Sequence, residues 1–103
     1  MANLAVGVGE FCLRNPVMPA SGCFGAELGA LVDLNALGAL VTKTVFYNSR
    51  AGNPSPRLAE TPAGMLNSVG IPTRGVEDFL RRVLPPYLRY STPTIVSIGG
   101  LSI

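Results

Sequence analysis

Histidine and tryptophan are absent from this chain, and cysteine occurs only as Cys12 and Cys23. Without imidazole these residues offer no histidine base and no histidine-bearing metal site. The two thiols lack metal-ligand spacing and read as packing or incidental cysteines, which makes a reduced, cytoplasmic chain the default. Charge is scarce as well, at 14% of residues and a net +2. The one local cluster, Arg81-Arg82, has acidic Glu77 and Asp78 just before it, and no basic stripe of the kind nucleic acid requires is present. Long apolar runs are missing too. The stretches 37–41 and 95–98 are strand-length, far below the roughly 20 residues of a membrane-spanning helix. The opening Met-Ala-Asn-Leu has neither the charged start nor the apolar core of a signal peptide. Nucleic acid and membrane are set aside as partners.

What is present is apolar. Hydrophobic residues make up 48% of 103 positions, a high share for one small free-standing domain. Either the fold is unusually well buried, or part of its surface is meant to be covered by chain beyond this segment; the second reading is favoured.

Residues 4–13 alternate around Gly7 and Gly9, which predicts a tight β-hairpin near Gly7 to Glu10. Val17 to Ala20 form a short apolar strand that ends in small residues. Leu28, Leu31 and Val32 recur at helical spacing and predict a helix over 26–34. The apolar run from Leu37 to Thr42 stops at Lys43, as a strand buried on both faces would. From Thr44 to Arg74 there is no periodicity, and four prolines (Pro54, Pro56, Pro62, Pro72) mark a long loop. Such a loop is uncommon in a compact domain unless it has a function. Val76, Phe79, Leu80, Val83 and Leu84 then mark an amphipathic helix, with Glu77 and Asp78 in the first turn where the helix dipole favours them. Pro85-Pro86 should end that helix, with one further turn over 87–90. Thr94 to Ile98 is a third buried strand, running into Gly99-Gly100.

The order is hairpin, β, α, β, loop, α, β. Alternating strands and helices imply right-handed crossovers and a parallel sheet of the α/β class. Three parallel strands apolar on both faces are not a finished sheet. They fit a doubly wound core or a barrel, cut short; a barrel takes about 250 residues, so this would be roughly its first third.

In parallel α/β folds ligands bind at the carboxyl ends of the strands. Those ends are Ala20-Ser21-Gly22, Lys43-Thr44 and Ser97 to Gly100, and the loop carrying Met65 to Gly70 leaves from the same rim. Lys43 stands out, because an ammonium closing an apolar strand loses solvation unless an anion or carbonyl compensates. It could equally snorkel to solvent or meet a structural carboxylate. Asn67-Ser68 and Ser21-Gly22 are turn formers as readily as ligand contacts. Arg50 and Arg57 read as loop-surface or loop-anchoring charges, either of which could pair with Glu60.

Four segments carry a family resemblance. They are Asn-Pro-Val-Met-Pro-Ala-Ser-Gly at 15–22, Val-Thr-Lys-Thr at 41–44, Gly-Asn-Pro-Ser-Pro-Arg at 52–57 and Glu-Thr-Pro-Ala-Gly-Met-Leu-Asn-Ser-Val-Gly at 60–70. In order and spacing the chain resembles class 1 dihydroorotate dehydrogenases, most of all the NAD-linked subclass, called class 1B. The resemblance implies a (β/α)8 barrel bearing FMN that oxidises dihydroorotate to orotate in pyrimidine synthesis, with 1–103 as its N-terminal third after a short hairpin. It further implies that Ala20, Ser21, Lys43 and Thr44 line the flavin, and that Lys43, Asn67 and the backbone at Val69, Gly70 and Ile71 hold the pyrimidine. It places the catalytic base on a loop beyond Ile103, and neither Cys12 nor Cys23 stands at that place. The FMN phosphate site belongs to later barrel units. A homodimer is implied, joined in the NAD-linked subclass by an electron-transfer subunit with FAD and an iron–sulfur cluster. Residues 45–48 and 71–74 match the family pattern loosely. Two other readings stand beside this one: a non-catalytic barrel fragment serving assembly or binding, and an FMN barrel acting on another pyrimidine.

Overall fold

A computed structural model describes residues 2–102. The predicted hairpin is there: β1 (Val6–Val8) pairs antiparallel with β2 (Phe11–Leu13) around a turn in which Gly9 has φ +58°. β3 (Leu40–Val41) and β6 (Thr94–Ile95) pair in parallel, Leu40 with Thr94 and Val41 with Ile95. A later parallel bridge joins Val45 to Ile98. The parallel pairing of the second and third predicted strands is therefore present.

The first predicted strand is not. Residues 17–20 are irregular, held to the strand-leading segment by one bond from the Gly38 amide to the Val17 carbonyl at 2.8 Å. The reason is local. Pro16 and Pro19 have no amide to donate, and the Val17 amide is already taken by the Asn15 side chain at 3.0 Å in an Asx turn. Nor is the third strand buried. Ile95, Val96 and Ile98 are exposed, Ile98 at 80%.

The helix predicted over 26–34 forms as two 3-10 turns, Ala26–Ala30 and Leu34–Ala36. Asp33 divides them. Its backbone is extended and its carboxylate accepts from the Asn35 amide at 2.9 Å, which starts a new turn instead of continuing the old one. The second predicted helix runs on past Pro85-Pro86. It comprises α1 (Val76–Asp78), a wider π turn (Phe79–Val83) and α2 (Leu84–Tyr87). The Leu84 amide reaches back to the Phe79 carbonyl, so the two prolines begin a fresh segment, where their missing amides leave no bond unmade. The predicted turn over 87–90 follows, with the Tyr90 amide on the Tyr87 carbonyl at 3.2 Å.

Residues 44–74 are not all loop. β4 (Leu58–Thr61) and β5 (Gly64–Asn67) form a second antiparallel hairpin about Pro62-Ala63. All eight of its strand residues are exposed, so no hydrophobic face announces it in the sequence. This hairpin extends the molecule, whose radius of gyration is 16.2 Å, against about 13 Å for a compact domain of this length.

The core is small. Ala26, Leu34, Leu40 and Tyr87 are buried together, with Phe24, Leu37 and Tyr90 packed against them. Its polar edges are tied down, Tyr87 donating to the Phe24 carbonyl (3.1 Å), Tyr90 to Ala26 (2.9 Å) and Thr92 to Leu34 (2.8 Å). Burial, with Glu27 adding to it, raises the Tyr87 pKa from 10.0. Among the described residues no helix is long and apolar enough to cross a membrane.

Candidate functional site

The site is built at the carboxyl end of β3. Leu40 and Thr42 are wholly buried, and Leu40 belongs to the core against Tyr87. Alternation therefore places them on the side of the helix layer, and Val41 on the other. The ladder is regular as far as the Thr42 amide, which donates to the Ile95 carbonyl at 3.0 Å. It then slips. Between the Val41–Ile95 and Val45–Ile98 pairings the first strand holds one residue more than the second. The Ser97 amide, which a regular ladder would give to the Thr42 carbonyl, goes to the Thr42 hydroxyl at 3.3 Å. Pairing resumes with the Val45 amide on the Ser97 carbonyl at 2.9 Å. The surplus falls around Lys43-Thr44, and a bulge of this kind re-aims side chains at a strand end.

Lys43 is exposed there, with no bond or ion pair to another described residue. Two clefts meet at it. One, of about 350 Å³, runs past Thr44 and Val45 to Pro72, Gly75 and Asp78; the other, of about 530 Å³, runs past Gly22 and Glu27 to Arg82 and Arg89. Thr44 and Ser97 share a hydroxyl–hydroxyl bond of 2.8 Å across the two strand ends.

The turn at 20–23 rests on the lysine stem. It closes from the Cys23 amide to the Ala20 carbonyl at 3.0 Å, and Gly22 has φ +74°. A Cβ at Gly22 would lie 3.1 Å from Lys43 Cβ, tighter than side chains normally pack. Glycine is thus required both for the left-handed turn and for its contact with Lys43. Ala20 and Ser21 stand exposed beside it.

The residues read as pyrimidine contacts lie on the arm. Asn67 ends β5 opposite Leu58, is exposed, and lines neither of the clefts that Lys43 enters. Val69, Gly70 and Ile71 follow. Gly70 has φ +79° and Ile71 φ +47°, a left-handed setting that is a genuine outlier for a β-branched residue. Pro72, next in sequence, lines the cleft shared with Lys43 and Thr44, so the strained turn feeds directly into the wall of that cleft.

The structure thus gathers Gly22, Lys43, Thr44 and Ser97 into one cluster, and sets 67–71 at the end of a chain segment leading to it. Ser97, one of the strand-end residues read from the sequence, had no ligand role assigned to it; its bond to Thr44 is what draws it into the cluster. Arg50 and Arg57 anchor the loop. Arg50 donates from Nε to the Gly70 carbonyl at 2.7 Å and lies 5.1 Å over the Phe46 ring, and Arg57 donates to the Asn53 and Ala51 carbonyls at 2.7 and 3.1 Å. Among the described residues neither pairs with Glu60; the ion pairs are Glu77–Arg81 and Asp78–Arg82. Cys12 and Cys23 are free and exposed, and no described cluster of His, Cys, Asp or Glu could hold a metal ion.

Comparison with known proteins gives the same direction. The chain is 51% identical over 98 residues to the dihydroorotate dehydrogenase B (NAD(+)) catalytic subunit of Desulforudis audaxviator, covering 93% of this chain and 32% of that protein. Its identity to the subunit of the same name from Thermoanaerobacter pseudethanolicus is 50% over 103 residues, or 98% of this chain and 34% of that one. For the Anoxybacillus flavithermus subunit the figure is 44% over 105 aligned positions, or 100% and 34%. The chain spans about a third of the length of these curated relatives. A family model described as dihydroorotate dehydrogenase matches residues 3–102, and the chain belongs to that family.

Proposed function

We propose that the whole protein is an FMN-dependent oxidoreductase that converts dihydroorotate to orotate in pyrimidine biosynthesis. Residues 1–103 supply the hairpin and first strand–helix units of its (β/α)8 barrel, and the barrel's remaining strands cover the exposed side of β6. The observation that carries this reading is the seating of the Gly22 turn on the stem of Lys43, at the carboxyl end of a parallel strand.

The residues present fit a flavin. Ala20 and Ser21 are small and exposed, Gly22 leaves no side chain between the turn and Lys43, and Lys43 with Thr44 adds an unpaired cation and a hydroxyl. Bound there, FMN supplies the acceptor for the hydride that leaves dihydroorotate. Lys43 provides fixed positive charge beside the ring and the pyrimidine, where charge stabilisation in a water-poor site is large. Thr44, held by Ser97, fixes the rim on the other side. Asn67 offers a donor and an acceptor to an amide-rich pyrimidine. The amides of Val69, Gly70 and Ile71 donate to no described residue and stand ready for its acceptor oxygens. The base that removes the substrate proton lies beyond Ile103.

The relatives are named as catalytic subunits. By analogy this protein works as a cytoplasmic homodimer with an electron-transfer subunit carrying FAD and an iron–sulfur cluster, and passes electrons to NAD. The test is direct. Full-length protein should purify yellow, bind orotate, and lose its flavin absorbance anaerobically when dihydroorotate is added. A folded full-length protein that takes up no FMN would overturn the reading.

A further inference from the structure

Three consecutive carbonyls of the arm are engaged by one short segment. Asn53 donates from Nδ2 to the Ser68 carbonyl at 3.0 Å and from its backbone amide to the Val69 carbonyl at 3.1 Å; Arg50 takes the Gly70 carbonyl. The amides of Val69, Gly70 and Ile71, by contrast, donate to no described residue. The strand is therefore turned so that its acceptors meet 50–53 and its donors are left over. Asn53 adds a third bond, from Nδ2 to the Ser68 hydroxyl at 2.8 Å. Its backbone is seated so closely that a Cβ at Gly70 would come within 2.7 Å of the Asn53 amide nitrogen.

Asn67 lies between two fixed points. On its amino side it is paired with Leu58 in the β4–β5 ladder, and on its carboxyl side Ser68 is gripped by Asn53. Asn53 is itself fixed, because Arg57 donates to its carbonyl at 2.7 Å and the Ser68 amide returns to the Arg57 carbonyl at 2.8 Å. From this geometry we infer that Asn53 is a positioning residue for pyrimidine binding: its side-chain amide sets the peptide after Asn67, and with it the Asn67 side chain and the free amides of 69–71. The inference rests on the functional reading above.

Asn53 touches no substrate in this account, so its removal acts through the arm. Two hydrogen bonds from one amide, each of modest net worth, are lost together. In the full-length protein Asn53→Ala should weaken orotate binding about tenfold, read by calorimetry. KM for dihydroorotate should rise by a similar factor, kcat should fall less, and FMN content should match wild type. Asn53→Asp keeps the size and the backbone bond but removes the donors, so it should behave like the alanine variant; Asn53→Gln should restore part of the affinity. Ser68→Ala, which removes one of the two acceptors, should show a smaller loss that does not add to that of Asn53→Ala. Wild-type affinity in both Asn53→Ala and Asn53→Asp would overturn the inference while leaving the functional reading intact. A wild-type protein that holds FMN but does not bind orotate would overturn that reading and the inference together. Loss of FMN and affinity in equal measure in Asn53→Asp would show a general structural role and also sink it.

Discussion

The strand pair β3–β6 and the arm 46–73 are ordered by different forces. At β3 the chain is held by burial: Leu40 and Thr42 have no exposure, and Leu40 belongs to the same buried cluster as Leu34 and Tyr87. On the arm nothing comparable exists. Leu58, Met65 and Leu66 are 58%, 60% and 66% exposed, and shape comes from Asn53, Arg50 and Arg57 reaching across to backbone carbonyls. Burial is non-directional and fixes where a segment sits, whereas hydrogen bonds fix how its peptide groups are turned. The proposed site would need both, a cation on the first element and oriented amides on the second.

That contrast can be broken or sharpened by substitution in the full-length protein. Lys43→Ala should cost about 10²- to 10³-fold in turnover, the scale of a lost charge-stabilising group, with the fold retained because the side chain is exposed. Steady-state kinetics beside a thermal melt would check this, and undiminished turnover would show the site misplaced. Leu40→Ala should destabilise by about 2–5 kcal/mol, as buried leucines do, in a urea titration. If it were neutral, burial would not be what holds β3. Gly22→Ala forces a side chain into a left-handed turn and against the Lys43 stem, at about 1–2 kcal/mol, and should loosen FMN as well; flavin release on dilution reads the second effect. Leu66→Ser on the arm should move stability by less than about 0.5 kcal/mol, as surface changes do. A large loss would mean the hairpin is packed after all.

The smallest effect concerns pH. Tyr87 ionises in the folded chain above its ordinary value of 10.0, because burial and then Glu27 oppose the phenolate. The stabilisation is complete below that value and is lost as pH rises through the folded one, since the unfolded state releases its proton first. The unfolding midpoint should therefore slope downward above pH 10.0, and Tyr87→Phe should flatten part of that slope.

What could be read from the letters follows the same division. β1–β2, β3 and the parallel partner at 94–98 were legible because apolar alternation or an apolar run marks them. So was Lys43, as the residue that ends such a run. The β4–β5 hairpin was not legible, since Leu-Ala-Glu-Thr and Gly-Met-Leu-Asn bury no face and are tied by cross-strand bonds and by side chains distant in sequence. The strand expected at 17–20 failed because Asn15 captured the Val17 amide, and the helix expected over 26–34 failed because Asp33 capped a second turn inside it. In each case one polar side chain redirected the backbone, and periodicity counts only the apolar ones. The flavin and pyrimidine roles came from motif resemblance; spacing alone left Lys43 and Asn67 with ordinary explanations.

The surplus residue between Val41 and Val45 has a consequence for how length can vary in this fold. Side chains alternate along a strand, so an odd insertion exchanges the two sides for everything downstream. Leu40 and Thr42 are even positions on the helix side, yet Val45, an odd one, is buried beside Phe79 and Val83 in the cleft wall. The parity of the strand has been flipped once, at the rim. Removing a single residue there would flip it back and turn Val45 outward, while the arm beyond, with no inside or outside to confuse, could gain or lose residues at its tip without such an inversion.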